Sequence, residues 1–287
     1  MQTHNNKRNN NLNVLVSDLD GTLIPFPGVR QNEEDLDQIH RLRETHDFML
    51  IFATGRSFQS VQDALEQHLL PVPDWIICDV GTSVYEKSGD SFSNLRDYHE
   101  KLDEICAGVD RREIETILEP LKGLQLQPEE NQSDFKISYW CEENELHRFV
   151  DQVNEIRQQN SLPYTCLGSV DPFSKRGLVD ILPAKVDKAY ALEWLSELLD
   201  LTAGRILYAG DSGNDLAALV GRYASVVVGN ASEQLRTEAL KLLKAHNREE
   251  TCYFAENFAT SGVLEGMKHY KMLGLEREPV MDMGCQE

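Results

Sequence analysis

The chain has 287 residues, with 48 Asp and Glu against 28 Lys and Arg and a formal net charge of −20 at pH 7. This length allows one large domain or two smaller ones. The acidity opposes association with nucleic acid or an anionic membrane surface through a general field, and it suits a well-solvated exterior. Six cysteines, Cys78, Cys106, Cys141, Cys166, Cys252 and Cys285, form no C-x-x-C pair, and none of the eight histidines falls in a metal-like pairing. The cysteines read as reduced core thiols. No apolar run approaches the roughly 20 residues that span a bilayer. The opening "MQTHNNKRNNN" lacks the apolar stretch of a secretory signal, so a cytoplasmic protein with a disordered tail over residues 1–11 is expected.

In chain order, short apolar runs of β-branched character recur: "NVLVS" (13–17), "FMLIFAT" (48–54), "WIIC" (75–78), and later "RILYAG" (205–210) and "SVVVGN" (225–230). Such runs suit strands buried on both faces. Helical stripes lie between them: Leu36, Ile39 and Leu42; Val61, Leu65 and Leu69; Leu192, Leu195 and Leu199. Strands alternating with helices predict a parallel sheet covered on both sides. The rhythm breaks over residues 85–183. A helical stretch (99–122) precedes the alternating strand "FKISYWC" (135–141). A helix over 143–159 follows, with Leu146, Phe149, Val150 and Val153 on one stripe, then strand-like "YTCLGSV" (164–170) and "GLVDILP" (177–183). Residues 85–183 are expected to form an α+β domain inserted into a core made of 12–84 and 184–287.

Open parallel sheets bind ligands at the carboxyl ends of their strands, beside the point where strand order reverses. The first strand ends in Asp18-Leu19-Asp20-Gly21-Thr22, the second in Thr54-Gly55-Arg56-Ser57, and the fourth in Gly210-Asp211-Ser212-Gly213-Asn214-Asp215. Asp18, Asp20, Asp211 and Asp215 in one cleft repel unless a cation shares the space, and oxygen ligands with open positions suit Mg²⁺. In "PAKVDKAYALEWL", Asp187 is placed to cap a helix and Lys188 to stand in its first turn. A cation there opposes the helix dipole and requires a nearby anion. A metal, a lysine and a threonine hydroxyl around two aspartates describe a phosphoryl-transfer site.

In this order, "DLDGT", "TGRS", the Lys of "VDKAYAL" and "GDSGND" resemble the four motifs of the haloacid dehalogenase superfamily of Mg²⁺-dependent phosphatases. The insert lies between the second and third motifs, as in members with the larger, class II cap. "FATGRS", "VGTSVY", "KISYW", "VDILP" and "GVLEGM" further resemble the sucrose-phosphate phosphatase family. The resemblance implies a Rossmann-like α/β core with a parallel sheet, an inserted α+β cap domain, and Mg²⁺-dependent hydrolysis of a sugar phosphate, with sucrose 6-phosphate first. It implies Asp18 as the nucleophile that forms an aspartyl-phosphate, and Asp20 as the acid and then base. Both would sit at the Mg²⁺, Asp20 through its backbone carbonyl. Thr54, Gly55 and Lys188 would hold phosphoryl oxygens, Asp211 the metal, and Asp215 would support the metal or Lys188. Arg56 is placed either to pair with a carboxylate or to touch substrate, and Asn214 completes the expected substrate-binding set. Two positions depart from the family: Gly21 stands where Asn is expected, and Ala189 where Gly is usual.

In "FKISYW", Phe135, Ile137 and Tyr139 share one face, and Lys136, Ser138 and Trp140 the other. The second face suits a sugar, with Lys136 and Asp180 as sugar-binding candidates; a merely solvated face is the alternative. Rival functions keep the enzyme and change its substrate to mannosylfructose phosphate, a sugar-glycerate phosphate or hexose phosphates. Others change the class, to a phospho-aspartate signalling receiver or to a non-catalytic sugar-phosphate binder associated with a sugar-phosphate synthase.

Overall fold

The structure, a computed structural model, describes residues 12–171 and 174–276; the expected tail over 1–11 and Cys285 lie outside the described residues. In chain order the strands are β1 (Val14–Ser17), β2 (Met49–Ala53), β3 (Trp75–Cys78), β4 (Ser83–Ser88), β5 (Ser91–Asn94), β6 (Gln125–Leu126), β7 (Ile137–Cys141), β8 (Tyr164–Val170), β9 (Gly177–Pro183), β10 (Ile206–Gly210), β11 (Ala224–Val227) and β12 (Cys252–Phe254). The α-helices are α1 (Arg30–Thr45), α2 (Phe58–Gln67), α3 (Arg96–Cys106), α4 (Arg111–Leu118), α5 (Leu146–Gln159), α6 (Lys188–Leu198), α7 (Leu216–Leu219), α8 (Glu233–Ala245) and α9 (Ala259–His269).

Alternation along β1 sets the layers, because successive side chains of a strand leave opposite faces. Val14 and Val16 pack with Ala191, Leu192 and Leu195 of α6 and Leu219 of α7. Leu15 packs with Leu36 and Ile39 of α1, Val61 of α2 and Met267 of α9. Burying each of these Val, Leu, Ile and Met side chains stabilises the fold by about 1.5–3 kcal/mol. The large sheet runs β12-β11-β10-β1-β2-β3-β4-β5, parallel from β12 to β3 and closed by the antiparallel hairpin β4–β5. Strand order reverses between β1 and β10, and the cleft opens at their carboxyl ends. The small antiparallel sheet runs β6-β7-β9-β8. Ile137 and Tyr139 of β7 pack with Ile114, Leu118, Phe149 and Val153 of α4 and α5. The opposite face of the small sheet turns toward the cleft.

The expected boundary at residue 85 falls inside β4. The polar hairpin β4–β5, with Gly89 at φ 62 in its turn, pairs with β3 and is part of the large sheet. We propose that the inserted segment begins after Asn94 and ends at Pro183. The single helix expected over 99–122 is two helices, because Ala107 and Gly108 turn left-handed (φ 51 and 81) and Asp110 caps α4 by accepting from the Glu113 N–H. The next helix starts at Leu146, after a 3₁₀ turn over Glu143–Glu145. Leu69, expected on the α2 stripe, falls past the helix end, where it is left-handed (φ 49) and 75% exposed.

Candidate active site

β1 delivers Asp18 to the cleft, with its N–H donating to the Ala209 carbonyl of β10 (3.0 Å). The chain then turns through Gly21, at φ 75, where a Cβ would stand 2.4 Å from Asp211 Oδ2. Glycine therefore suits this position as the chain is folded here. Asp18 is buried. Lys188 Nζ lies 3.0 Å from its Oδ1 as an ion pair, without hydrogen-bond alignment, and Oδ1 has no aligned hydrogen-bond partner among the described residues.

Asp187 caps α6 by accepting from the Tyr190 N–H (2.8 Å), which leaves Lys188 in the first turn and fully buried. The ammonium donates to Asp215 Oδ1 (2.7 Å), which also accepts from the Tyr208 hydroxyl (2.6 Å). Asp215 Oδ2 accepts from the Asp211 and Ser212 N–H groups and from the Ser212 hydroxyl. With both oxygens so engaged, Asp215 organises Lys188 and the 211–215 turn. Burial works against the Lys188 charge, but Asp18 and Asp215 outweigh it and hold its pKa above the ordinary value. Asp211 Oδ1 accepts from the Thr22 hydroxyl and Oδ2 from Asn230 Nδ2, each at 3.2 Å. Asn230 also donates to the Gly21 carbonyl (2.8 Å), and its Oδ1 accepts from the Ala259 N–H (2.8 Å), which fixes the orientation of the amide.

Asp20 stands apart from this cluster. Both its oxygens accept from the Arg56 guanidinium (2.7 and 2.6 Å), so of its two expected roles Arg56 takes carboxylate pairing here. Thr54 is fully buried, and its hydroxyl oxygen accepts from the Arg56 N–H (3.2 Å). Asp18, Asp20, Gly55, Arg56 and Asn214 line a cleft of about 220 Å³, whose other wall includes Lys136, Ser138, Trp140 and Asp180 of the insert. Asp180 accepts from the Ser138 hydroxyl across the β7–β9 pair, and burial raises its carboxyl pKa. The Trp140 ring has the Arg176 guanidinium 4.2 Å from its centroid. Lys136 reaches the cleft, but its ammonium is engaged by the Gly55 carbonyl and by Asp79, each at 3.0 Å. Asp79, Tyr208 and Asn230 are residues of this site that the motifs do not mark.

Asp18, Asp211 and Asp215 bring carboxylate oxygens within 4.8 Å of one another. One ammonium against three carboxylates leaves two negative charges uncompensated in a buried, all-oxygen site, which fits a hard divalent cation. Burial pushes the Asp18 carboxyl up to about 7; Lys188 opposes the rise, and Asp215 and Asp20 add to it. Asp211 is likewise held well above its ordinary value by burial and then by Asp18. Without metal, the folded state binds these protons more tightly than the unfolded state does. Stability is then lost as pH rises from about 4 to about 7. The melting temperature of chelated protein should therefore fall across that window, and a divalent cation should restore more of it at pH 7.5 than at pH 5. Calorimetry that finds the same metal-induced shift at both pH values would contradict this charge balance.

The family described as sucrose-6F-phosphate phosphohydrolase matches residues 11–271. The chain belongs to this family. The sucrose-phosphatase of Synechocystis sp. PCC6803, solved with sucrose and phosphate, is similar at 26% identity and a TM-score of 0.77, covering 92% of this chain and 99% of that one. The mannosylfructose-phosphate phosphatase of Agrobacterium fabrum is 27% identical over 260 residues, 90% of this chain and 97% of its own length. A glucosylglycerol-phosphate synthase of Pseudomonas anguilliseptica is 29% identical over 91% of this chain but only 31% of its own length. As a member of the sucrose-6F-phosphate phosphohydrolase family, the chain is a phosphoric monoester hydrolase acting on sugar phosphates. This sets aside the signalling-receiver and non-catalytic readings. Among the described residues no helix is long and apolar enough to cross a membrane.

Proposed function

We propose that the chain hydrolyses sucrose 6-phosphate to sucrose and phosphate, with Mg²⁺ as the divalent cation, by way of an aspartyl-phosphate on Asp18. The observation that carries this reading is buried Asp18, with one oxygen lacking an aligned hydrogen bond, facing a cleft walled by the polar side of the insert. In this reading the Asp18 and Asp211 side chains and the Asp20 backbone carbonyl would hold Mg²⁺, which would supply positive charge against the phosphoryl oxygens. An Asp18 oxygen bonds to phosphorus as the bond from phosphorus to the sugar oxygen breaks, and the Asp20 carboxyl gives that oxygen a proton. Water then attacks phosphorus and gives its proton to Asp20, and the bond to Asp18 breaks to release phosphate. Lys188, the Thr54 hydroxyl and the Gly55 N–H steady the phosphoryl oxygens. Arg56 holds both Asp20 oxygens before substrate enters. An incoming phosphoryl group competes for that guanidinium and frees Asp20 to take up from solvent the proton it then gives to the sugar oxygen.

Mannosylfructose phosphate is the second reading, favoured by the Agrobacterium relative, which matches over nearly its whole length. Association with a synthase rests on the Pseudomonas relative, where the matched segment is part of a longer chain. The test is phosphate release from sucrose 6-phosphate, mannosylfructose phosphate, glucosylglycerol phosphate and hexose phosphates, with Mg²⁺ and with chelator. Sucrose 6-phosphate should lead in kcat/KM by about tenfold or more, and only with metal. A higher kcat/KM on mannosylfructose phosphate would reassign the substrate, and release that survives the chelator would remove the metal.

A further inference from the structure

The turn after β3 joins parts of the site that none of the motifs connect. The Asp79 N–H donates to the Arg56 carbonyl (2.9 Å) and the Val80 N–H to the Thr54 carbonyl (3.1 Å). The carbonyl between them, on Gly55, accepts from the Lys136 ammonium of the insert (3.0 Å). Three successive carbonyls of the 54–56 turn are thus occupied, two from the core and one from the insert. Lys136 is itself paired with Asp79, whose Oδ1 lies 3.0 Å from Nζ, with the two side chains 4% and 5% exposed. A charge pair so buried is costly unless its geometry is used.

The backbone of the β3 turn is strained where it makes these contacts. Asp79, Val80 and Gly81 are consecutively left-handed (φ 52, 58 and 101), and a β-branched residue rarely takes that conformation. At Gly81 a Cβ would stand 2.2 Å from the Asp187 carbonyl, directly before Lys188. The Gly81 carbonyl accepts from the Tyr98 hydroxyl of the insert (2.6 Å). One short turn therefore touches the 54–56 turn, the start of α6 and the insert.

Resting on the proposal that phosphoryl oxygens bind at the 54–56 turn, we infer that Asp79 and Lys136 are positioning residues that complete this turn only when the insert is seated. In a trans peptide the N–H points away from the carbonyl. Lys136, holding the Gly55 carbonyl, aims the Arg56 N–H at the Thr54 hydroxyl oxygen (3.2 Å). That hydroxyl then keeps its own proton to donate to a phosphoryl oxygen. Asp79 anchors Lys136 in place. The insert thereby acts on the phosphoryl group through the core backbone, whereas a sugar contact by Lys136 would act on the leaving group alone.

The test uses Lys136→Met and Asp79→Asn, singly and together, with inorganic phosphate titrated in Mg²⁺ buffer by calorimetry and a small aryl phosphate, which carries no sugar, as substrate. Each single variant should weaken phosphate binding and lower kcat/KM for the aryl ester by about tenfold, and the double variant should lose little more than the worse single. The inference is overturned if Lys136→Met raises KM for the sugar phosphate while phosphate affinity stays at the parental value, or if the two losses multiply in the double variant. Should Asp79→Asn fail to fold, the phosphate titration of Lys136→Met decides alone. Failure of the proposed function would appear separately, as a parental chain that releases phosphate from no sugar phosphate.

Discussion

Asp18→Asn is expected to lower phosphate release by at least about 10⁴-fold while leaving the metal-free protein as stable as the parent, or more stable, above pH 7. The two outcomes have one cause. In the proposed mechanism an amide cannot take the phosphoryl group, so the first step is lost. The same amide removes a buried carboxylate whose charged form the folded state disfavours, since burial holds its pKa near 7. Lys188 keeps its bond to Asp215 (2.7 Å), so the ammonium is not left alone. Single-turnover phosphate release and thermal unfolding in chelator measure the pair of effects. Release at the parental rate takes Asp18 out of the chemistry. A large loss of stability would show that the Asp18 carboxylate supports the fold, against the charge balance argued above.

The core and its motifs were legible in the sequence because each motif is a contiguous run at the end of a strand buried on both faces. Reading strand ends was enough to gather Asp18, Asp211 and Asp215, since the sheet alone brings those ends together. The same rule applied to β3 and β11 points to Asp79 and Asn230, which stand just past those strands; neither sits in a run of chemistry-bearing residues, and so neither drew notice. Tyr208 carried no signal at all. On a strand buried on both sides, its hydroxyl is indistinguishable in sequence from one more apolar position, and only the fold shows it bonded to Asp215. The hairpin β4–β5 was lost for the opposite reason, since "SVYEKSGDSFSN" is polar enough to pass for the start of the insert. Lys136, directly before β7, faces the cleft as expected, yet periodicity fixes only the face and not the partner, which here is a core carbonyl and a core carboxylate.

Lys188→Met is the substitution with the largest expected cost to the fold. The methionine matches the lysine stem in length, so the packing of this fully buried side chain is kept and the change isolates the charge. Without the ammonium, Asp18, Asp211 and Asp215 face one another with no cation from the chain, and Tyr208 and the 211–212 N–H groups still hold only Asp215. Breaking a buried pair in this way costs about 3–5 kcal/mol, which for a chain of this size lowers the melting temperature by roughly 10 °C. The loss should shrink at pH 5, where protonation of Asp18 and Asp211 relieves the repulsion, and shrink again when a divalent cation is added at neutral pH. Adding Asp215→Asn to Lys188→Met should recover stability by removing one of the three charges, but not activity, because in the proposed mechanism the phosphoryl group still lacks its lysine. If the double variant melts no higher than Lys188→Met alone, the loss came from packing, and the electrostatic account of this cluster fails.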